Sequence, residues 1–165
     1  MSVVLARVDD RLIHGQVVEG WFKRIKIDRV IIVAEKVYKD PMQQALLGWA
    51  VTNKIAVDFA DGRRTVELLT EPEVARQDVC LLFSTLGDVE DFVRSGGKIA
   101  SLNIGGLHYA PDKQGYSATL FLDENDKRIL RQLKEKNIEL ETRVLPTDLS
   151  QDVFEVIARK ENKDG

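Results

Sequence analysis

"RVIIVAE", Arg29 to Glu35, is the stretch from which the fold is read. Val30, Ile31, Ile32 and Val33 are an unbroken β-branched run, so neither face of this strand is polar. A strand with one wet face alternates. An unbroken apolar run belongs to a parallel strand covered on both faces. Upstream, "VVLARV" (Val3–Val8) reads as a first strand and Gln16 to about Lys23 as a short helix. Downstream, "DPMQQALLGWAV" (Asp40–Val51) reads as a helix with Asp40 as N-cap and Pro41 in its first turn.

The alternation then continues. Strands are predicted at Lys54–Ala60, Asp78–Ser84, Lys98–Gly106, Ser117–Leu122 and Ile138–Pro146. Helices are predicted at Gly62–Glu71, stopped by Pro72, and at Gly87–Gly97, capped by Asp88 and closed by two glycines. "DENDKRILRQLKEKN" (Asp123–Asn137) carries acids in its first turn and bases later, as the helix dipole favours. Ile129, Leu130 and Leu133 lie on one face of it. A short helix around "DVFEVIARK" and a mobile tail from about residue 160 complete the chain. Trp21 and Trp49, both on predicted helices, are expected in the core.

Strand and helix alternating throughout predicts an α/β fold. The expectation is a single three-layer domain over 1–165, with an open, mainly parallel sheet and helices on both faces. In such sheets ligands bind at the carboxyl ends of strands. Three loops therefore stand out: Asp9–Gly15, Ser84–Asp88 and Gly105–Pro111.

Composition narrows the function. The 165 residues are 44% hydrophobic and 31% charged, the profile of a globular domain. With 24 basic and 27 acidic residues the net charge is −3, which argues against a nucleic-acid binder. Cys80, the single cysteine, sits in the apolar run "VCLLF" and reads as a buried strand residue. With no disulfide and no signal peptide in view, the cytoplasm is the expected compartment. No apolar run approaches the ~20 residues of a membrane span.

The chemistry concentrates in "RVDDRLIHGQV", Arg7 to Val17. Glycine-rich nucleotide motifs and the nucleophile elbow are absent from the sequence, and two histidines with one cysteine have no zinc-site spacing, so no metal is expected. His14 falls between a strand and a helix start, where unpaired backbone N–H groups suit an anion. Arg11, three residues earlier, can grip phosphoryl oxygens in a fork. A neutral imidazole can attack phosphorus through one nitrogen while Asp9 or Asp10 fixes the other. Those aspartates can equally cap the helix, Arg7 can merely flank the strand, and His14 can be a structural hydrogen-bonder.

"ARVDDRLIHGQV" resembles the amino-terminal signature of the enzyme IIB component of the bacterial phosphotransferase system, mannose/fructose/sorbose family. "VIIVAEKVYKDPMQQALLGWA", "SLNIGGLHYAPDK" and "LDENDKRILRQLKEKNIELETRVLPTD" are similar to further segments of that family, to about Asp148. The resemblance implies a phosphotransferase acting in sugar uptake, without metal or nucleotide cofactor. Its phosphorylated histidine maps onto His14 and its phosphoryl-holding arginine onto Arg11. The phosphoryl group would come from phosphohistidine on a IIA component and pass to sugar held by the membrane components IIC and IID. The chain would then work in the cytoplasm, recruited to the inner membrane face; a homodimer is compatible with this. A regulatory phosphoprotein of the same fold is the alternative. "FSTLGDVEDF" lacks the basic residue common in the family's corresponding loop, and Ser84 and Thr85 offer hydroxyls there. Gly15, Ser84, Thr85, Gly105, Gly106 and His108 are the remaining candidates for touching the phosphoryl group or a partner. Local hydrogen bonding is the simpler role for His108.

Overall fold

The computed structural model describes residues 2–51 and 54–165. Seven strands form one sheet: β1 (Ser2–Asp9), β2 (Arg29–Val33), β3 (Ala56–Ala60), β4 (Asp78–Phe83), β5 (Ser101–Gly106), β8 (Glu139–Thr142) and β9 (Gln151–Asp152). Their order across the sheet is β3-β2-β4-β1-β5-β8-β9. All pairs are parallel except the last, where β9 runs antiparallel to β8. β1 lies between β4 and β5, with Val8 beside Phe83 on one side and Ile104 on the other. The residues that follow β1 therefore emerge at the centre of the sheet's carboxyl edge.

The β-branched run of β2 does what its composition requires. Val30 and Ile32 enter one core, Ile31 and Val33 the other, and all four are fully buried. The larger core lies under α3 (Gly62–Thr70), α4 (Leu86–Arg94), α5 (Glu124–Glu135) and α6 (Val153–Asp164), which supply Leu68, Phe92, Leu130 and Ile157. The smaller core is covered by a π-helical segment at Gln16–Phe22 and by α1 (Glu35–Tyr38), through Val17, Trp21 and Val37. Helices thus cover both faces, as the unbroken apolar strands demand. Cys80 is buried in β4, and burial pushes its thiol up to about 12.

Local chemistry sets the element ends. Asp40 accepts from the N–H groups of Met42 and Gln43 at the start of α2 (Pro41–Trp49). Asp123 and Asp126 form a reciprocal capping box on α5. Gly96, at φ +98°, closes α4, with Gly97 N–H donating to the Phe92 carbonyl.

Several boundaries differ from expectation. Thr85, not Asp88, caps α4; Asp88 sits at the third position and completes a capping box. Ser117–Leu122 is not one strand of the sheet. It contributes to an antiparallel hairpin, β6 (Gln114–Ser117) with β7 (Leu120–Leu122), that hangs from Leu107 at the end of β5. Ala118 and Thr119 make the turn, while Leu120 and Leu122 face the larger core. α6 runs to Asp164, through the segment expected as a mobile tail. Trp21 is buried, but Trp49 is 82% exposed. α2 buries no residue fully, and Trp49 lies with Met42 and Leu46 on its outer side.

Candidate active site

The site begins with the period-two geometry of β1. Leu5, Arg7 and Asp9 project to the same face, that of the smaller core. Arg7 and Asp9 are nevertheless charged and fully buried, so each must be paired. Arg7 Nη2 donates to Asp9 Oδ2 at 2.9 Å, and Nη1 donates to Asn103 Oδ1 at 2.5 Å and to the Arg143 carbonyl at 3.0 Å. The polar row continues across the sheet: Asn103 Nδ2 donates to Glu141 Oε1, which also accepts from Arg143. The Trp21 ring packs against both guanidinium groups, and its Nε1–H donates to the Val144 carbonyl. Gly105 is required beneath this arrangement, because a Cβ there would lie 1.8 Å from Arg7 Cζ.

Beyond Asp9 the chain turns sharply. Leu12 N–H bonds to the Asp9 carbonyl, and Leu12 itself sits at φ +56°, rare for a branched side chain. This turn returns His14 toward Asp9, placing its Nε2 2.9 Å from Asp9 Oδ2. His14 is mostly buried, with 16% of its side chain exposed. Among the described residues its Nδ1 makes no hydrogen bond. Arg11 donates from its backbone N–H and its Nε to Asp9 Oδ1, and from Nη2 to Gln16 Oε1. Its side chain remains 39% exposed. The His14 carbonyl receives Val17 and Val18 as the π-helical segment begins.

Asp9 is therefore the junction of the site. Burial by itself would raise its carboxyl, but the His14 hydrogen bond, the Arg7 charge and the Arg11 donors outweigh burial. They hold it well below the usual carboxylate range. A depressed native value contributes stability fully above the unfolded value of about 3.9, and that stability is lost as pH falls below it. Acid unfolding of the parent chain should therefore steepen below about pH 4. Asp9→Asn should flatten that limb and lower stability at pH 7 by about 3–5 kcal/mol, since Arg7 is left buried without its counter-charge. Urea unfolding at a series of pH values measures both; parallel curves for the two chains would contradict the assignment.

The other candidates fall into two groups. Asp10 receives both the backbone N–H and the Nδ1 of His108, at 2.7 and 2.6 Å, so His108 ties the loop after β5 to the loop after β1. Gly106 lies under this contact; a Cβ would come within 2.7 Å of His108 Cε1. Of the two aspartates only Asp9 orients His14, and neither caps the helix: the cap position is Gly15, which receives no side-chain bond. Gly15 has nothing within 4 Å of an added Cβ and an ordinary helical φ of −52°. Ser84 and Thr85 instead line a cleft of about 380 Å³ with Ala34, Glu35 and Asp88, and the Thr85 hydroxyl is engaged with Asp88. Asp9, Asp10 and His108 place ligand atoms within 4.8 Å of one another, but the carboxylates already serve Arg7, Arg11, His14 and His108.

Sequence reading missed Arg7, Asn103, Glu141 and Arg143. The available signal was phase: Arg7 lies between Leu5 and Asp9 on one strand face, so it does not merely flank the strand.

The family model described as PTS system sorbose subfamily IIB component matches residues 3–165. The chain belongs to that family. As a IIB component it is a phosphotransferase of sugar uptake. It is 37% identical to the sorbose-specific EIIB component of Lacticaseibacillus casei, over 93% of this chain and 94% of that one. The mannose-specific EIIAB component of Escherichia coli is 33% identical over 96% of this IIB chain, which spans 49% of that longer protein. The crystal structure of the IIBSor domain of the sorbose permease from Klebsiella pneumoniae superposes with a TM-score of 0.90 at 34% identity. It covers 96% of this chain and 98% of that one.

Proposed function

We propose that His14 is the residue on which this IIB component is phosphorylated, with Nδ1 as the reacting atom. The supporting observation is the Asp9–His14 bond. The Asp9 carboxylate accepts from Nε2–H, which leaves Nδ1 as the nitrogen with a free lone pair. Nδ1 forms a bond to the phosphorus of a phosphohistidine on a IIA component, and the donor's N–P bond breaks. In the second step a sugar hydroxyl takes the phosphorus from Nδ1, the N–P bond breaks, and the hydroxyl proton leaves to base or water.

Arg11 binds the phosphoryl oxygens. It is tethered by Asp9 and Gln16, yet its guanidinium keeps an exposed edge. Transfer of this kind rests on positioning and charge, which a pinned imidazole and a half-exposed arginine provide.

The donor is a IIA protein or domain, and the acceptor sugar is held by the membrane components IIC and IID. The EIIAB relative, whose name joins IIA and IIB, supports the donor. Among the described residues no helix is long and apolar enough to cross a membrane. On this reading the chain meets IIC and IID from the cytoplasm, at the inner membrane face.

Incubation with phosphoenolpyruvate, the general phosphotransferase proteins and a IIA component tests this. The product should carry an acid-labile phosphoryl group whose phosphorus couples to His14 Nδ1 in nitrogen-15-labelled protein. An acid-stable label, or coupling to another residue, would overturn the proposal.

A further inference from the structure

Arg7 is a fully buried charge that the transfer steps above do not use. Its cost is visible. The side chain is fully buried, and Nε has no hydrogen-bond partner. An orphaned buried donor is destabilising, and replacing a buried ion pair by apolar side chains is often neutral or stabilising. Fold stability alone therefore gives little reason for an arginine here.

The geometry gives another. Arg7 Nη2 and His14 Nε2 meet on the same oxygen, Asp9 Oδ2, each at 2.9 Å. Arg11 holds the other oxygen, Oδ1, through its backbone N–H and Nε, and reaches Oδ2 only from Nη2, at 3.5 Å. Arg11 is partly exposed and held only from within its own loop, by Asp9 and Gln16, whereas Arg7 is anchored by Asn103 and the Arg143 carbonyl and packed against Trp21. The shorter and better-anchored constraint on Oδ2 is thus the one from the sheet side.

We propose that Arg7 is a positioning residue: through Asp9 Oδ2 its anchored guanidinium holds the His14 imidazole with hydrogen on Nε2 and Nδ1 bare. The proposal rests on His14 being the phosphoryl acceptor. A fork is required, because one edge must reach Asp9 while the other reaches Asn103 and Arg143. A lysine ammonium has no such span.

The test reads the imidazole directly. In nitrogen-15-labelled, unphosphorylated parent protein, the His14 ring shifts should report mainly the Nε2–H tautomer. Folded Arg7→Met should show a mixture of the two tautomers and a phosphoryl acceptance rate at least about tenfold lower, since a wrong tautomer disables a reacting histidine. Arg7→Lys should recover less than half of the lost rate. Should Arg7→Met fail to fold, Asn103→Ser keeps the guanidinium but removes one anchor. It should show the same tautomer mixture with a smaller loss of rate. A folded variant of either kind with parental ring shifts and parental rate would overturn the proposal. Persistence of the label in His14→Ala would instead overturn the acceptor assignment, while the ring shifts would still report what Arg7 does.

Discussion

His14→Ala should lower phosphoryl acceptance from a IIA donor by at least about a thousandfold, because the proposed acceptor atom is gone. The same change should leave the fold standing. His14 contributes one hydrogen bond to Asp9, and Asp9 Oδ2 keeps its bond from Arg7. The expected stability loss is about 1–2 kcal/mol, the net worth of a charge-assisted hydrogen bond. Rate and stability must be measured on the same preparation. Full-rate labelling of a folded His14→Ala chain would mean that another nucleophile carries the phosphoryl group. His108 is the other histidine, and its Nδ1 is engaged with Asp10.

Gly105→Ala should be the most damaging single-methyl change near the site. The added Cβ would lie 1.8 Å from Arg7 Cζ and within 2.2 Å of both terminal nitrogens. The guanidinium has little room to yield, since Asn103, Asp9 and the Arg143 carbonyl hold its edges and Trp21 packs against it. Displacing it breaks the Arg7–Asp9 pair inside the protein, which costs about 3–5 kcal/mol. For a chain of this length that corresponds to a fall in melting temperature of roughly 10 °C. Phosphoryl acceptance should fall as well, because Asp9 loses its anchor. Gly15→Ala is the matched control: its Cβ meets nothing within 4 Å, and its stability should stay within about 0.5 kcal/mol of the parent. A Gly105→Ala chain as stable as Gly15→Ala would refute the packing account.

The layered architecture was legible because burial on both faces leaves a direct imprint on composition. The run Val30–Val33 and its counterpart in β4 have no polar phase. Helix ends were legible where a cap or glycine acts locally, as at Asp40, Asp123 and Gly96. They were misplaced where two capping residues compete: Thr85 and Asp88 bond reciprocally, and which one leads is settled by the backbone at Thr85. The hairpin at Gln114–Leu122 was not legible, since its register depends on attachment to Leu107. Trp49 misled because an aromatic on a helix is usually buried, yet this helix lies outside the smaller core.

His14 and Arg11 were legible as a pair because three residues in one loop keep them close in any fold. Their dependence on Arg7 was not, because it runs across strands. Arg7 pairs in register with Asn103, and Asn103 with Glu141, residues 96 and 38 apart in sequence. No spacing rule within one segment reveals such a row. The division between Asp9 and Asp10 was equally hidden, since it follows from the turn at Leu12 and the position of His108.

Trp21 has one more consequence. Its ring lies 5.4 Å from the Arg7 guanidinium and 5.3 Å from that of Arg143, buried and hydrogen-bonded to Val144. Indole emission shifts with nearby charge, and the chain's other tryptophan, Trp49, stands in solvent and can be replaced by phenylalanine without disturbing the core. On the proposed assignment, the emission of this single buried ring should shift as His14 is loaded and unloaded, in real time and without any attached label; emission unchanged by phosphorylation would contradict that expectation.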